Sequence, residues 1–250
     1  MKKLTILGLA AALVLASNVA SHAGSREGKI GIHGNFDFNT VGMSDMNDYL
    51  ALQGATYVLL GATNVSVDKA SSGIGGGGAV TYGFTPNIEA ELGFDFLSTS
   101  GDVNFTDPST GTAYKDTISL PLFGITIGGA YVFPDVTQGL DLKIGLRVAY
   151  DMISGGKYTP GFPGTTGADL TGSGVGFGVL VGGEYFMTPE FSLGLNLGYD
   201  IASLTPITQS SSGVSSTAKN ASGNNIAADY SGLAVQVGVS YYFSSGAASK

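Results

Sequence analysis

No cysteine occurs among the 250 residues, and only 12% of them are Asp, Glu, Lys or Arg. Without a thiol there is neither a disulfide framework nor the lipid-bearing cysteine of an anchored lipoprotein. Histidine is nearly absent as well: His22 and His33 are the two in the chain, and such a set is poor in zinc ligands. The formal charge of −8 has the wrong sign for nucleic acid, which selects basic patches. A soluble chain carries roughly 25% charged residues, so this one lacks the means to cover a surface with charge. Yet its hydrophobic content is 43%, and beyond residue 23 no apolar run approaches the ~20 residues of a spanning helix. An apolar, glycine-rich chain that cannot cross a membrane as helices has the composition of a membrane β-barrel.

Lys2 and Lys3 precede an apolar run from Leu4 to about Ala16, and Ser21-His22-Ala23 follows with small residues at two of its three positions. This order predicts a secretory signal peptide over 1–23, too short to serve as an anchor. The mature domain is then 24–250, and losing both lysines takes the charge from −8 to −8 − 2 = −10.

Alternation with period two dominates the rest, placing one set of side chains on each face of a strand. Ile30, Ile32, Phe36 and Phe38 oppose Lys29, His33, Asn35 and Asp37. Residues 39–72 interrupt the pattern, with a short helix expected from Asp45 to Gln53 behind Ser44 as N-cap, or else a further hairpin. Ile74, Val80 and Tyr82 oppose Gly75, Gly77, Ala79 and Thr81, and Ile88, Leu92, Phe94 and Phe96 oppose Glu89, Glu91 and Asp95. Residues 99–116 read as a polar loop. Between Thr117 and Phe133 the apolar phase shifts, from Ile118, Leu120 and Leu122 to Phe123, Ile125 and Ile127, which predicts a bulge near Leu122–Gly124 beside Pro121. Leu142, Ile144, Leu146, Val148 and Tyr150 oppose Asp141, Lys143, Arg147 and Asp151; Val175, Phe177, Val179, Val181 and Tyr185 oppose a glycine-rich face ending in Glu184. Leu193 to Tyr199 alternate ahead of Asp200, and 154–171 and 204–228 read as loops.

Eight strands result, joined alternately by long polar loops and by short turns at 84–87, 134–139 and 187–190. Tyr82, Tyr131 and Tyr185 each precede such a turn, spaced by 49 and 54 residues. Long connections on one side and short on the other, with strands of ten or more residues, predict a closed antiparallel up-and-down transmembrane barrel. The 39–72 insert leaves ten strands as an alternative. A soluble eight-stranded barrel would carry its charges outside, whereas here they share the face opposite the large apolar residues.

The last strand runs from Leu233 to Phe243, with Val235, Val237, Val239 and Tyr241 on one face. Within it, Gln236-x-Gly238-x-x-Tyr241-x-Phe243 resembles the β-signal of bacterial outer-membrane barrels, although the chain continues from Ser244 to Lys250. The turn Tyr82-x-Phe-Thr-Pro-Asn87, its Glu91-x-Gly-Phe94 strand and the repeat Phe186-Met-Thr-Pro-Glu190 add to the likeness. From Lys29 to Phe243 the chain resembles the small eight-stranded outer-membrane proteins, the OmpA-membrane-domain, OmpX and opacity-protein group. The resemblance implies residence in the outer membrane, contact with its lipid, insertion by the barrel-assembly machinery, and a host or environmental surface ligand held by the external loops.

An eight-stranded barrel is only wide enough for its own side chains, so inward charges must pair or be hydrated. A plug is expected around Lys143 and Arg147, with Glu89, Glu91 and Glu184 as partners. The leading expectation is a structural or surface-interaction role. The alternatives are a narrow cation-preferring pore or small hydrophobic-solute conduit, and, more distantly, a lipid-modifying enzyme. No Ser/His/Asp grouping stands out beside His33, so no catalytic, cofactor or metal-binding residue is assigned. A serine close to His33 is the feature that would favour the enzyme.

Overall fold

The computed structural model describes residues 26–220 and 223–243; the signal peptide expected over 1–23 and the tail from 244 lie outside the described residues. In chain order the elements are β1 (Ile30–Thr40), α1 (Ser44–Leu59), β2 (Thr63–Asp68), β3 (Ser72–Thr85), β4 (Ile88–Ser98) and β5 (Ser100–Thr106). Then follow β6 (Ala113–Ser119), β7 (Leu122–Thr137), β8 (Leu140–Ile153), β9 (Gly156–Thr159), β10 (Ala168–Thr171) and β11 (Ser173–Phe186). The last are β12 (Phe191–Leu204), β13 (Thr208–Ser211), β14 (Val214–Thr217), β15 (Ala228–Asp229) and β16 (Gly232–Phe243).

Eight of these strands close a barrel of antiparallel neighbours in the order β1-β3-β4-β7-β8-β11-β12-β16, with β16 pairing back onto β1. The three short turns lie at one end, as expected. The seam at β1 and β16 sets Ile30 against Phe243 and Phe38 against Val235. Side chains on the outer wall are apolar and half-exposed; on β8, Leu142, Ile144, Leu146, Val148 and Tyr150 range from 41% to 65%. In water such a face would be costly, and lipid is the solvent that fits it. Aromatic rings bound the face, with Tyr82, Phe84, Tyr131, Phe133, Tyr241 and Phe243 at the short-turn end and Phe38, Phe96, Phe177 and Tyr199 at the other. No described helix is long and apolar enough to cross a membrane.

At the long-loop end the barrel strands do not stop. A second sheet, β14-β13-β10-β9-β6-β5-β2, continues six of them outward, and β15 adds a short strand to the end of β12. The stretches read as loops at 99–116, 154–171 and 204–228 therefore contain β5, β6, β9, β10, β13, β14 and β15. The insert at 39–72 adds no barrel strand: it forms α1 and β2, and the barrel has eight strands. α1 is longer than expected, and its N-cap is Met43 in a left-handed conformation (φ 42°), not Ser44.

The bulge expected at Leu122–Gly124 is also absent, since β7 pairs with β4 in unbroken register from Leu97↔Leu122 to Ile88↔Tyr131. Ile118, Leu120 and Leu122 are buried, as are Gly124 and Thr126, so one inward face runs straight through Pro121. What changes is the surroundings of that face. Within the barrel it is polar; in the external sheet it is apolar. β4 and β5 show the same switch, from Glu89, Glu91 and Asp95 to Leu97, Val103 and Phe105. The buried apolar cluster of the molecule thus lies outside the membrane, where α1 packs against the external sheet.

α1 rises along β5. Leu50 meets Gly101, Gly54 faces Val67 and Val103, and Tyr57 stacks on Phe105 with ring centroids 3.9 Å apart. A Cβ at Gly54 would stand 2.9 Å from Val67, so the close helix–sheet contact needs glycine there. Asp116, fully buried, ties the helix to the strands. Its Oδ2 accepts from Gln53 Nε2 at 2.6 Å, Tyr57 Oη at 2.5 Å and Tyr158 Oη at 3.0 Å, and its Oδ1 accepts from the Gly161 amide at 2.7 Å. Desolvation, together with the adjoining Asp116 carboxylate, pushes Tyr57 up to about 12 and raises Tyr158 as well.

Candidate functional site

Because strand side chains alternate, the residues opposite the lipid face converge inside the barrel, and they form two separate charge clusters. The first lies at the short-turn end. The segment before β1 runs beside β3, with the Gly28 amide donating to the Gly83 carbonyl at 2.8 Å. This path carries Arg26 into the lumen, where it is 3% exposed. Its guanidinium donates to Asp141 (2.8 and 3.1 Å), Glu89 (3.0 Å), Glu184 (2.7 Å) and the Tyr242 hydroxyl (2.9 Å). It also packs over the rings of Phe186 and Tyr242 at 5.3 and 5.2 Å, a cation–π geometry. Lys143 joins from above, 2.8 Å from Glu184 and 3.7 Å from Glu89. Ser192 donates to Glu184.

The second cluster is centred on Arg147, which pairs with Asp200 at 2.7 Å and Asp95 at 3.3 Å. Asp37 and Asp151 lie at the same level, both buried, and Asp37 accepts from Asn35. A cavity of about 50 Å³ separates the two clusters. A second of about 50 Å³ lies beyond Arg147, lined by Asp37, Asp95, Asp151 and Asp200 and bordered by Leu97, Leu122, Ala202 and Tyr230. The path along the axis therefore meets the Arg26–Lys143 cluster, the Arg147 clamp and an apolar cap.

Of the expected network, Glu89, Lys143 and Glu184 come together, while Arg147 is bonded to different carboxylates. Glu91 lines the first cavity and makes no hydrogen bond or ion pair with the described residues. The missing member was Arg26. Alternation could not find it, since it precedes the first strand and reaches the lumen by a turn. In the terminal strand, Gln236 faces inward opposite Asp37 and Asn196, and Gly238 lies between Asn35 and Gly194. Tyr241 and Phe243 point to lipid, edge to face at 5.2 Å.

His33 does have a serine beside it: its Nδ1 is 3.0 Å from Ser240 Oγ. A nucleophile pair also needs a group that orients the imidazole and a path for substrate. No described residue makes a hydrogen bond to Nε2, and Ser240 is 4% exposed inside the barrel. Among the described residues no three of His, Cys, Asp and Glu converge as direct ligands of one metal ion.

The external sheet holds a different kind of site. An apolar cleft of about 60 Å³ lies between α1 and the sheet, lined by Met46, Ile118, Leu120, Leu170, Ile207 and Ile226, with Tyr49, Tyr158 and Gln209 also on its wall. Toward its far end α1 leaves Leu52, Val58 and Leu59 exposed, and Leu60 just beyond it is exposed as well.

A family model described as "Outer membrane protein beta-barrel domain" matches residues 9–243. No curated protein matches. Among solved structures, a major outer membrane protein from Thermus thermophilus is 16% identical with a TM-score of 0.52, the match covering 86% of this chain and 99% of that one. Neisserial surface protein A is 14% identical (TM-score 0.49; 87% and 100% covered), and OprG from Pseudomonas aeruginosa 12% (0.48; 90% and 99%). With the Thermus protein the likeness is one of fold.

Proposed function

The chain belongs to the outer membrane protein beta-barrel domain family and sits in the outer membrane with its apolar wall against lipid, and from that premise we propose that the barrel is a closed anchor for its external domain. The observation that carries this reading is Arg26, buried across the short-turn mouth with three carboxylates and a tyrosine on its guanidinium. A solute would have to break that cluster, pass Arg147 and then leave through the apolar cap. A pore needs wet continuity, and two cavities of about 50 Å³ on either side of a clamp do not supply it. The work then falls to the external domain, whose exposed apolar residues on α1 and apolar cleft suit a ligand or surface outside the cell.

On this reading the Ser240–His33 contact is a structural hydrogen bond and the protein is not an enzyme. The terminal strand acts in assembly, with Gln236, Gly238, Tyr241 and Phe243 presented to the insertion machinery before β16 closes on β1. The test is single-channel recording of the mature protein in a planar bilayer, on material that still shifts on an unboiled gel. No steady steps are expected. Regular cation-selective steps from folded protein would overturn the closed-anchor reading.

A further inference from the structure

The two charge clusters are not balanced alike. At the short-turn mouth, Arg26 and Lys143 face Glu89, Asp141 and Glu184, a sum of 2 − 3 = −1. Around the second cavity, Arg147 alone faces Asp37, Asp95, Asp151 and Asp200, a sum of 1 − 4 = −3. Each of these four carboxylates lies directly across from a glycine: Asp37↔Gly75, Asp95↔Gly77, Asp151↔Gly124 and Asp200↔Gly178. A Cβ at Gly77, Gly124 or Gly178 would come within about 2.5 Å of a carboxylate oxygen, so the neighbouring strands leave room for these groups.

Two acceptors in the chamber have no donor. Asp151 is 5% exposed and makes no hydrogen bond or ion pair with the described residues. Asn39 Oδ1, on the same wall, is buried and has no partner. A buried carboxylate without a partner is costly, and a proton on Asp151 would still leave Arg147 alone against the three carboxylates of Asp37, Asp95 and Asp200. A hydrated cation answers both needs, since its charge offsets the carboxylates and its water donates to the orphaned oxygens.

We propose that the chamber between Arg147 and the apolar cap holds one hydrated divalent cation, with Asp151, Asp37 and Asn39 Oδ1 as its nearest protein oxygens. No three carboxylates converge for direct ligation, so the ion keeps much of its water, and about 50 Å³ leaves space for a few molecules. An oxygen-only site of this kind suits Ca²⁺ or Mg²⁺ and not zinc.

The experiment refolds the mature protein separately with Ca²⁺, with Mg²⁺ and with a chelator, desalts it, measures metal by mass spectrometry, and follows heat-induced loss of the unboiled-gel shift. Wild type should retain about one ion per chain and melt higher than its chelated form. Asp151→Asn should retain none and show no chelator effect, while in chelator it should equal or exceed wild type, because a repelling charge has gone. Asp37→Asn provides the same reading should Asp151→Asn fail to fold, and Glu91→Gln, which alters the other cavity, should behave as wild type. Wild type without metal and indifferent to chelator would overturn the proposal. So would retention of the ion by both Asp variants, which would put it elsewhere.

Discussion

Replacing Arg26 by Ala tests the closure of the barrel most directly. The side chain donates five hydrogen bonds, all to groups that are themselves buried. Without it, Glu89, Asp141 and Glu184 remain at 4%, 1% and 1% exposure, and Lys143 reaches only Glu184 closely. Removing one partner of a buried ion pair costs about 3–5 kcal/mol, because the remaining charge stays uncompensated. Water entering at the short-turn mouth limits the loss to that range, although three carboxylates are affected. Reversible urea unfolding in detergent, followed by the gel shift and tyrosine fluorescence, should show a loss of about 3–5 kcal/mol for Arg26→Ala. Arg26→Lys should fall between this variant and wild type, since it keeps the charge but not the planar fork. A stability within about 0.5 kcal/mol of wild type, the scatter expected of surface changes, would refute the idea that Arg26 closes the lumen.

Asp116→Ala leaves four donors without their acceptor and should weaken the external domain by about 3 kcal/mol or more; limited proteolysis should then cut near 107–112 and 160–167 while the barrel keeps its gel shift. Raising the pH should act on the same place. Tyr57 titrates near 12 in the folded protein against about 10 in an unfolded chain, so its contribution is intact below pH ~10 and lost as pH rises through the folded value. Tyrosinate absorbance together with protease sensitivity between those limits should show the loss, and Tyr57→Phe should reduce it. Gly238→Ala places a Cβ 2.7 Å from the His33 ring and 2.8 Å from the Gly34 carbonyl, so the β1–β16 seam should close slowly and the shifted fraction after refolding should fall; unchanged refolding would show that the seam tolerates a methyl group.

The barrel was legible because lipid makes its outer wall apolar over whole strands: Leu142 to Tyr150 or Leu233 to Phe243 alone would also suit the core face of a sandwich, and the repetition of such strands between long loops and short turns decides it. The external domain was not legible for the complementary reason. Its strands are short and carry apolar residues on the inward face, so Ile118, Leu120 and Leu122 looked like a change of phase when only the solvent on each side had changed. Asp116 lay in a stretch that read as polar loop, and its partners Gln53, Tyr57 and Tyr158 come from far away in the chain. The lumen was half legible. Alternation placed Glu89, Lys143, Arg147 and Glu184 inside but could not assign partners, and it could not reach Arg26, which no strand contains.

The two aromatic belts also set a length. From Ile30, level with Tyr82 and Phe243, to Phe38 the first strand advances eight residues, which is ~26 Å at ~3.3 Å per residue. A barrel strand tilted by ~40° covers only about 20 Å of that along the membrane normal. This is well below the ~30 Å of an average hydrocarbon layer and lies on the side toward which outer membranes depart from it. The barrel should therefore refold fastest in short-chain phosphatidylcholines and thin the bilayer around itself in longer ones, a preference written into where its tyrosines and phenylalanines stop.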